Sequence, residues 1–304
     1  MKTHPATLVV LTMLVYATAP LADDGDWRIS TDLQGLYGPY SGSALRDSLA
    51  NVGLFLHADY LEAGGLAVGY NRTVVSFADP DFDIDQDQVF ASGRFSAAPD
   101  WASGRISMRL DGYWIDNNDN ANGTGDLGVV APLLSYMNFP RTLYLDIGYA
   151  RSSYGEATDF SGDLTVDQLT PTVGFGFSEG RDWLQLRGYL IDPSNPSRAQ
   201  GKSDTSAVEL KWMHWFSGPG PLGINKITLT GLVGERVYAV DPDSAVVYNI
   251  ADVQKGSVAA ASTWRINDRN EILLQLGYEQ YTNELIADDY SYPYLYIDFT
   301  HKWN

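Results

Sequence analysis

The chain contains no cysteine. That excludes disulfides, thiolate metal sites and a lipid-anchored N-terminal cysteine, and it suits a protein exported to an oxidising compartment, where wrong pairing is a hazard. Basic residues are also scarce, with 20 Lys and Arg against 38 Asp and Glu and a formal charge of −18. Wrapping nucleic acid needs clustered Lys and Arg, so that class of partner is excluded. With four histidines in 304 residues, little is left for acid–base or metal chemistry. HExxH, GxSxG and the full phosphate-cradling GxxxxGK[S/T] loop are all absent, which points away from an enzyme. The GxG at Gly174 and Gly176 lies in a strand-like stretch and marks small side chains.

Long apolar runs are missing as well. The one apolar stretch, within MKTHPATLVVLTMLVYATAPLA, follows basic Lys2 and precedes small residues and the acidic pair Asp23-Asp24. It is shorter than the roughly 20 residues a spanning helix needs and reads as a secretory signal peptide, residues 1–22, cleaved after Ala22. Residues 23–304 are then one domain, either soluble outside the cytoplasm or crossing a membrane as strands.

What is present is period-two alternation. In 27-WRISTDLQGLY-37, Trp27, Ile29, Leu33 and Tyr37 share one face, and Arg28, Ser30, Asp32 and Gln34 the other. The segments 50-ANVGLFLHADY-60, 105-RISMRLDGYW-114, 143-LYLDIGYA-150 and 272-ILLQLGYEQ-280 alternate likewise, rich in Tyr, Val and Trp. Half-buried strands read this way, and segments of about ten residues suit tilted membrane crossings. In 66-LAVGYNRTVVSF-77 the apolar phase also carries Arg72. Either Arg72 lies at the outer interface or a bulge changes the phase there.

The connections fall into two kinds. Short ones cover 62–65, 99–103, 139–142, 178–182 and 267–270, with 217–226 somewhat longer; long polar ones cover 38–48, 78–87, 116–125, 155–163, 193–205, 239–256 and 282–293. They alternate strictly. Seven long and six short connections predict an all-β, up-and-down antiparallel transmembrane barrel of about 14 strands, with both termini at the short-turn, periplasmic end. A soluble sandwich would not segregate loop lengths so regularly. Merging or splitting one hairpin would give twelve or sixteen strands. The last segment, 294-YLYIDFTHKWN-304, ends one residue after an aromatic. It resembles the C-terminal strand by which the barrel assembly machinery recognises outer-membrane proteins. As a pattern, the whole mature chain resembles the monomeric fourteen-strand outer-membrane porins, the OmpG-like class of Gram-negative bacteria. The resemblance implies a monomeric channel in the outer membrane for passive diffusion of small hydrophilic solutes.

The phase opposite the apolar one is the expected pore lining. It collects Arg28, Asp32, His57, Asp59, Arg94, Arg105, Arg109, Asp111, Tyr144, Asp146, Arg187, Tyr189, Glu209, Lys211, Arg236, Arg265, Glu279, Tyr296 and Asp298. The signs nearly balance, which favours polar solutes over one sign of ion. Aromatic faces beside carboxylates and guanidinium groups suit saccharides. No long insertion offers a plug domain, so a water-filled lumen is expected, unless the inner groups bond with one another across the wall and narrow or close the pore. The alternative is a non-transporting barrel that braces an export or polysaccharide complex or presents surface loops to a partner. His57 and Asp59 share an inner face and could meet in one wall patch, whereas His214 and His301 fall on the outer phase.

The run 78-ADPDFDIDQDQVF-90 places aspartates at alternate positions. Asp83-x-Asp85 resembles the paired aspartates of outer-membrane proteases, but the partner Asp-x-His is missing. Any strand extension would turn Asp83, Asp85 and Asp87 outward, at the height of lipopolysaccharide phosphates. Asp81, Asp83, Asp85 and Asp87 are therefore candidates to share structural Ca²⁺ or Mg²⁺ with that layer. Apart from this ion, no cofactor is expected.

Overall fold

The computed structural model describes residues 27–61, 63–78, 82–119, 123–218 and 220–303. The signal-peptide stretch and Asp81 lie outside them. Among the described residues, fourteen long strands close into one antiparallel barrel, and a two-stranded hairpin stands apart. The strands are β1 (Trp27–Pro39), β2 (Arg46–Tyr60), β3 (Gly64–Phe77), β4 (Asp83–Ala97), β5 (Gly104–Asn117), β6 (Asp126–Asn138), β7 (Leu143–Tyr154) and β8 (Leu164–Phe177). They continue with β9 (Asp182–Pro193), β10 (Thr205–Trp215), β11 (Lys226–Arg236), the hairpin β12 (Val240–Asp241) and β13 (Val246–Val247), then β14 (Val253–Arg265), β15 (Asn270–Asn283) and β16 (Asp288–Lys302). Each long strand pairs with its sequence neighbour in the wall, and β1 closes on β16 from Ser30↔Lys302 to Tyr37↔Leu295. Closure leaves no edge strand.

Cross-strand register explains why the alternation works. Leu33, Leu54, Tyr70, Val89 and Trp114 form one continuous outward row across β1–β5. Phe55, Gly69, Phe90, Tyr113 and Val129 form the adjoining inward row. Outward Leu66 and Phe95 are 62% and 65% exposed, as befits a lipid-facing band and not a soluble surface. Small residues on the inner wall make room for rings. Phe55 lies over Gly69, Tyr294 over Gly277 and Trp183 over Gly174, where a Cβ would collide with the ring. This is aromatic rescue of strand glycines.

Strands reach further into the long loops than alternation alone predicts. β4 starts at Asp83, so Asp83, Asp85 and Asp87 are strand, not loop. Aspartate is a poor strand former, but specific bonds hold it extended here. Asn118 receives the Asp85 N–H at 3.0 Å and donates to the Asp83 carbonyl at 2.8 Å. Register runs unbroken from Gly64 to Ser76 on the β4 side, so no bulge rescues Arg72 and it faces outward. Arg72 pairs with Asp85 at 3.0 Å and Asp87 at 3.7 Å, while the Tyr70 hydroxyl donates to Asp87 at 2.5 Å. The wall repeats this device at β7–β8, where Tyr149 and Arg151 both engage Asp167. A ring topped by an ion pair is what an interfacial girdle requires.

The largest departure is inside. Gly234 (φ +111°) opens a bulge between Val233 and Arg236. Residues 237–252 then turn into the lumen, where Val240 pairs with Val247 and Asp241 with Val246. Val237, Tyr238, Ala239, Val240 and Val247 are buried in one apolar cluster with wall residues such as Phe55, Phe90, Tyr113, Leu127, Leu164 and Ile191. The expected water-filled lumen is therefore corrected: an ordinary loop, with no added domain, occupies it.

Candidate functional site in the barrel lumen

Every residue expected to line the pore faces inward by register, from Arg28 on β1 to Asp298 on β16. They divide into two groups. Those toward the long-loop end support the hairpin, and those toward the short turns remain more accessible.

The hairpin is held from several strands at once. Gln168 on β8 donates to the Val240 carbonyl at 2.6 Å and receives the Val240 N–H at 2.9 Å. Gln88 on β4 donates to the Ala245 carbonyl at 3.0 Å. Arg109 on β5 donates to the Pro242 carbonyl at 2.6 Å while bonded to Asp111 at 3.0 Å. At the tip, Asp243 bridges two cations. Its Oδ1 accepts from Arg187 Nη2 at 2.8 Å and its Oδ2 from Lys211 Nζ at 2.5 Å. Arg187 also bonds Thr172 Oγ1 at 3.0 Å and approaches Asp241 at 3.9 Å. Burial opposes ionisation of Asp243, yet Lys211 and Arg187 hold its carboxyl well below the usual carboxylate range. A cavity where Val240 and Pro242 meet the β5–β8 wall is about 10 Å³, room for at most one water.

Both ends of the loop are clamped. At its start the Arg236 guanidinium lies 4.7 Å from the ring centres of Tyr189 and Tyr248 and donates twice to Gln254. Cation–π contacts of this kind strengthen when dry. Glu279 receives the Tyr281 hydroxyl beside it. At its end Asp252 forms an ion pair with Arg46 at 2.7 Å and accepts from Tyr290 at 2.5 Å and Asn283 at 2.8 Å. Just inside the start, Tyr238 donates to the Arg198 carbonyl at 2.7 Å.

Toward the short turns the wall is polar and half-exposed. His57 Nε2 meets Asp32 at 2.9 Å, and Arg94 meets Asp59 at 2.8 Å. His57 and Asp59, which share this inner face, thus each pair with another strand, β1 and β4, and not with each other. Register sets Asp32 near His57, while Gly65↔Arg94 brings Arg94 to Asp59 over a glycine. Tyr296 donates to Asp298 at 3.3 Å, and Tyr144 lies 6.3 Å from Trp183 between ring centres. Arg28, Arg105 and Arg265 complete this end. His214 meets Asp182 at 2.9 Å on the outer face. Among the described residues, no three His, Asp or Glu side chains gather as a metal site.

The residues missed from sequence are the hairpin's own Asp241 and Asp243 and, on the wall around it, Gln88, Gln168 and Thr172. One signal could have found them. The loop sequence VYAVDPDSAVVY (237–248) is too apolar for a water-facing loop.

No protein-family model matches the chain. Among solved structures, the chain resembles the TodX monoaromatic hydrocarbon channel deltaS2 mutant (TM-score 0.58, 12% identity, 95% of this chain and 92% of that one). It also resembles a bacterial polysaccharide outer membrane secretin (0.54, 11%, 92% and 100%) and the CymD monoaromatic hydrocarbon channel (0.52, 12%, 93% and 90%). These share the fold, a closed outer-membrane-type β-barrel. Curated sequences add a stretch of 100 residues 27% identical to human tissue alpha-L-fucosidase, covering 28% of this chain and 22% of the enzyme. The chain thus spans about a fifth of that relative's length, and the same holds for the rat enzyme.

Proposed function

We propose that the protein is a Gram-negative outer-membrane channel for small hydrophilic solutes, closed at rest by residues 237–252 acting as a displaceable plug. Loop lengths orient it, with the long loops outside and the short turns periplasmic. The β1–β16 seam closes within one chain, so the barrel needs no second copy to close, and the proposal takes it as a monomer. One observation carries the gated reading: the hairpin is joined to the wall by side-chain hydrogen bonds and ion pairs, not by the strand ladder. Withdrawal would therefore leave the barrel's own pairing intact. The cations Arg109, Arg187 and Lys211 at the plug support a polar solute. Divalent-cation sharing between Asp81–Asp87 and lipopolysaccharide belongs to the same proposal, with Asp83, Asp85 and Asp87 on the outward face. Chelation that left thermal stability in lipopolysaccharide-containing membranes unchanged would remove it.

Proteoliposome swelling tests the channel reading. Replacing residues 238–250 by a short Gly-Ser turn should raise the influx of small sugars well above wild type. A shortened barrel that shifts on heating like a folded one, yet admits no sugar, would refute it.

A further inference from the structure

The plug tip shows what the lumen is built to hold. Arg187 is 2% exposed, and both of its ion pairs are to the hairpin: Asp243 at 2.8 Å and Asp241 at 3.9 Å. Lys211 pairs with Asp243 at 2.5 Å and keeps only a 3.7 Å approach to the wall carboxylate Glu209. Once the hairpin leaves, the guanidinium loses both ion pairs and Lys211 loses its closest one. The vacated place then presents two cations within reach of one carboxylate, which favours an anion that bonds both at once.

We propose that Arg187 and Lys211 form a carboxylate-binding site of the pore, filled at rest by Asp243 and taken in the open state by the carboxylate of a permeating acidic sugar. The proposal rests on the gated-channel reading. Three features select the ligand. First, Asp243 gives one oxygen to each cation, which is the geometry of a carboxylate. Second, Asp146 and Glu209 flank the site on neighbouring inner positions, so a monoanion fits better than a phosphate dianion. Third, polar and aromatic groups suited to a hydroxylated ring lie alongside. Gln185 Nε2 and Glu209 Oε1 are buried without a hydrogen-bond partner, offering one donor and one acceptor. Two positions beyond Gln185 on the same inner face, Trp183 and Tyr144 present a tilted aromatic pair at 6.3 Å. Faces of that kind stack on sugar CH groups.

Competition sets the concentration scale. A tethered carboxylate acts at an effective concentration of about millimolar or more, so the free solute should work in that range.

Purified full-length protein in planar bilayers, at fixed ionic strength, tests this with sodium glucuronate against glucose. Millimolar glucuronate should raise the wild-type open fraction by about tenfold, and glucose should not. Asp243→Asn should be open without either solute. Arg187→Gln and Lys211→Met should each lose the response to glucuronate. If Asp243→Asn opens but glucuronate and glucose act alike on wild type, the carboxylate site is wrong and the channel reading stands. If the folded wild type, Asp243→Asn and the hairpin-shortened barrel all fail to conduct, the channel reading falls and takes this site with it.

Discussion

Replacing Gln168 by leucine should unlatch the plug without weakening the barrel. Gln168 is 3% exposed and makes two hydrogen bonds to Val240, itself 2% exposed. Leucine keeps similar bulk but offers neither donor nor acceptor. In the docked state the Val240 N–H and C=O would then be buried unpaired, each at a cost of about 1–3 kcal/mol. In the withdrawn state water satisfies both. Even the low end, about 2 kcal/mol in total, shifts the closed-to-open ratio by roughly thirtyfold. The wall itself is untouched, because the backbone of Gln168 pairs with Ala150 and Ile191 whatever its side chain. Single-channel recording should therefore show a sharply increased open fraction, while the unfolding midpoint in lipid stays near wild type. An open fraction within a factor of about two of wild type would refute the reasoning, because the hairpin would then not be held by its wall contacts.

Three further outcomes follow from the same geometry. Arg72→Leu should change unfolding stability in lipid by less than about 1 kcal/mol, as for an exposed ion pair; a gain of about 2–4 kcal/mol would instead put position 72 in the hydrocarbon. Gly69→Val must displace the Phe55 ring stacked on it and should cost about 1–3 kcal/mol of stability, readable as a lower denaturant midpoint. For pH, the docked Asp243 carboxyl lies below its free value, so docking strength is full above the ordinary aspartate range near about 3.9 and fades only as pH falls through the depressed value. The closed fraction should thus be constant from about pH 8 to 5, and opening near pH 6 would contradict the Asp243 latch.

The barrel was legible because its physics is local. Alternation in each strand encodes which side meets lipid, and loop-length segregation encodes direction. Fourteen strands, the closed antiparallel order and the inward phase of residues as far apart as Arg28 and Asp298 followed from those two signals. The plug did not follow, since it depends on contacts between distant segments: Val240 meets Gln168 and Asp243 meets Arg187 and Lys211. Polarity of the lining was readable, but its partners were not. Charges read as a solvated wall proved to bond a hairpin whose apolar residues had passed as loop. The aspartates of 83–87 gained a partner the same way. Their outward phase was readable, whereas the cross-strand placement of Arg72 beside Asp85 and Asp87 needed the register.

The absence of cysteine gives the most direct test of the plug. Lys211→Cys with Asp243→Cys, introduced together into the otherwise thiol-free chain, can be bridged by a reducible bifunctional thiol reagent while current is recorded. The double variant lacks the latch and should conduct. Bridging should abolish the conductance steps, and reduction should restore them. A bridged barrel that conducts as before would contradict the claim that residues 237–252 close the pore.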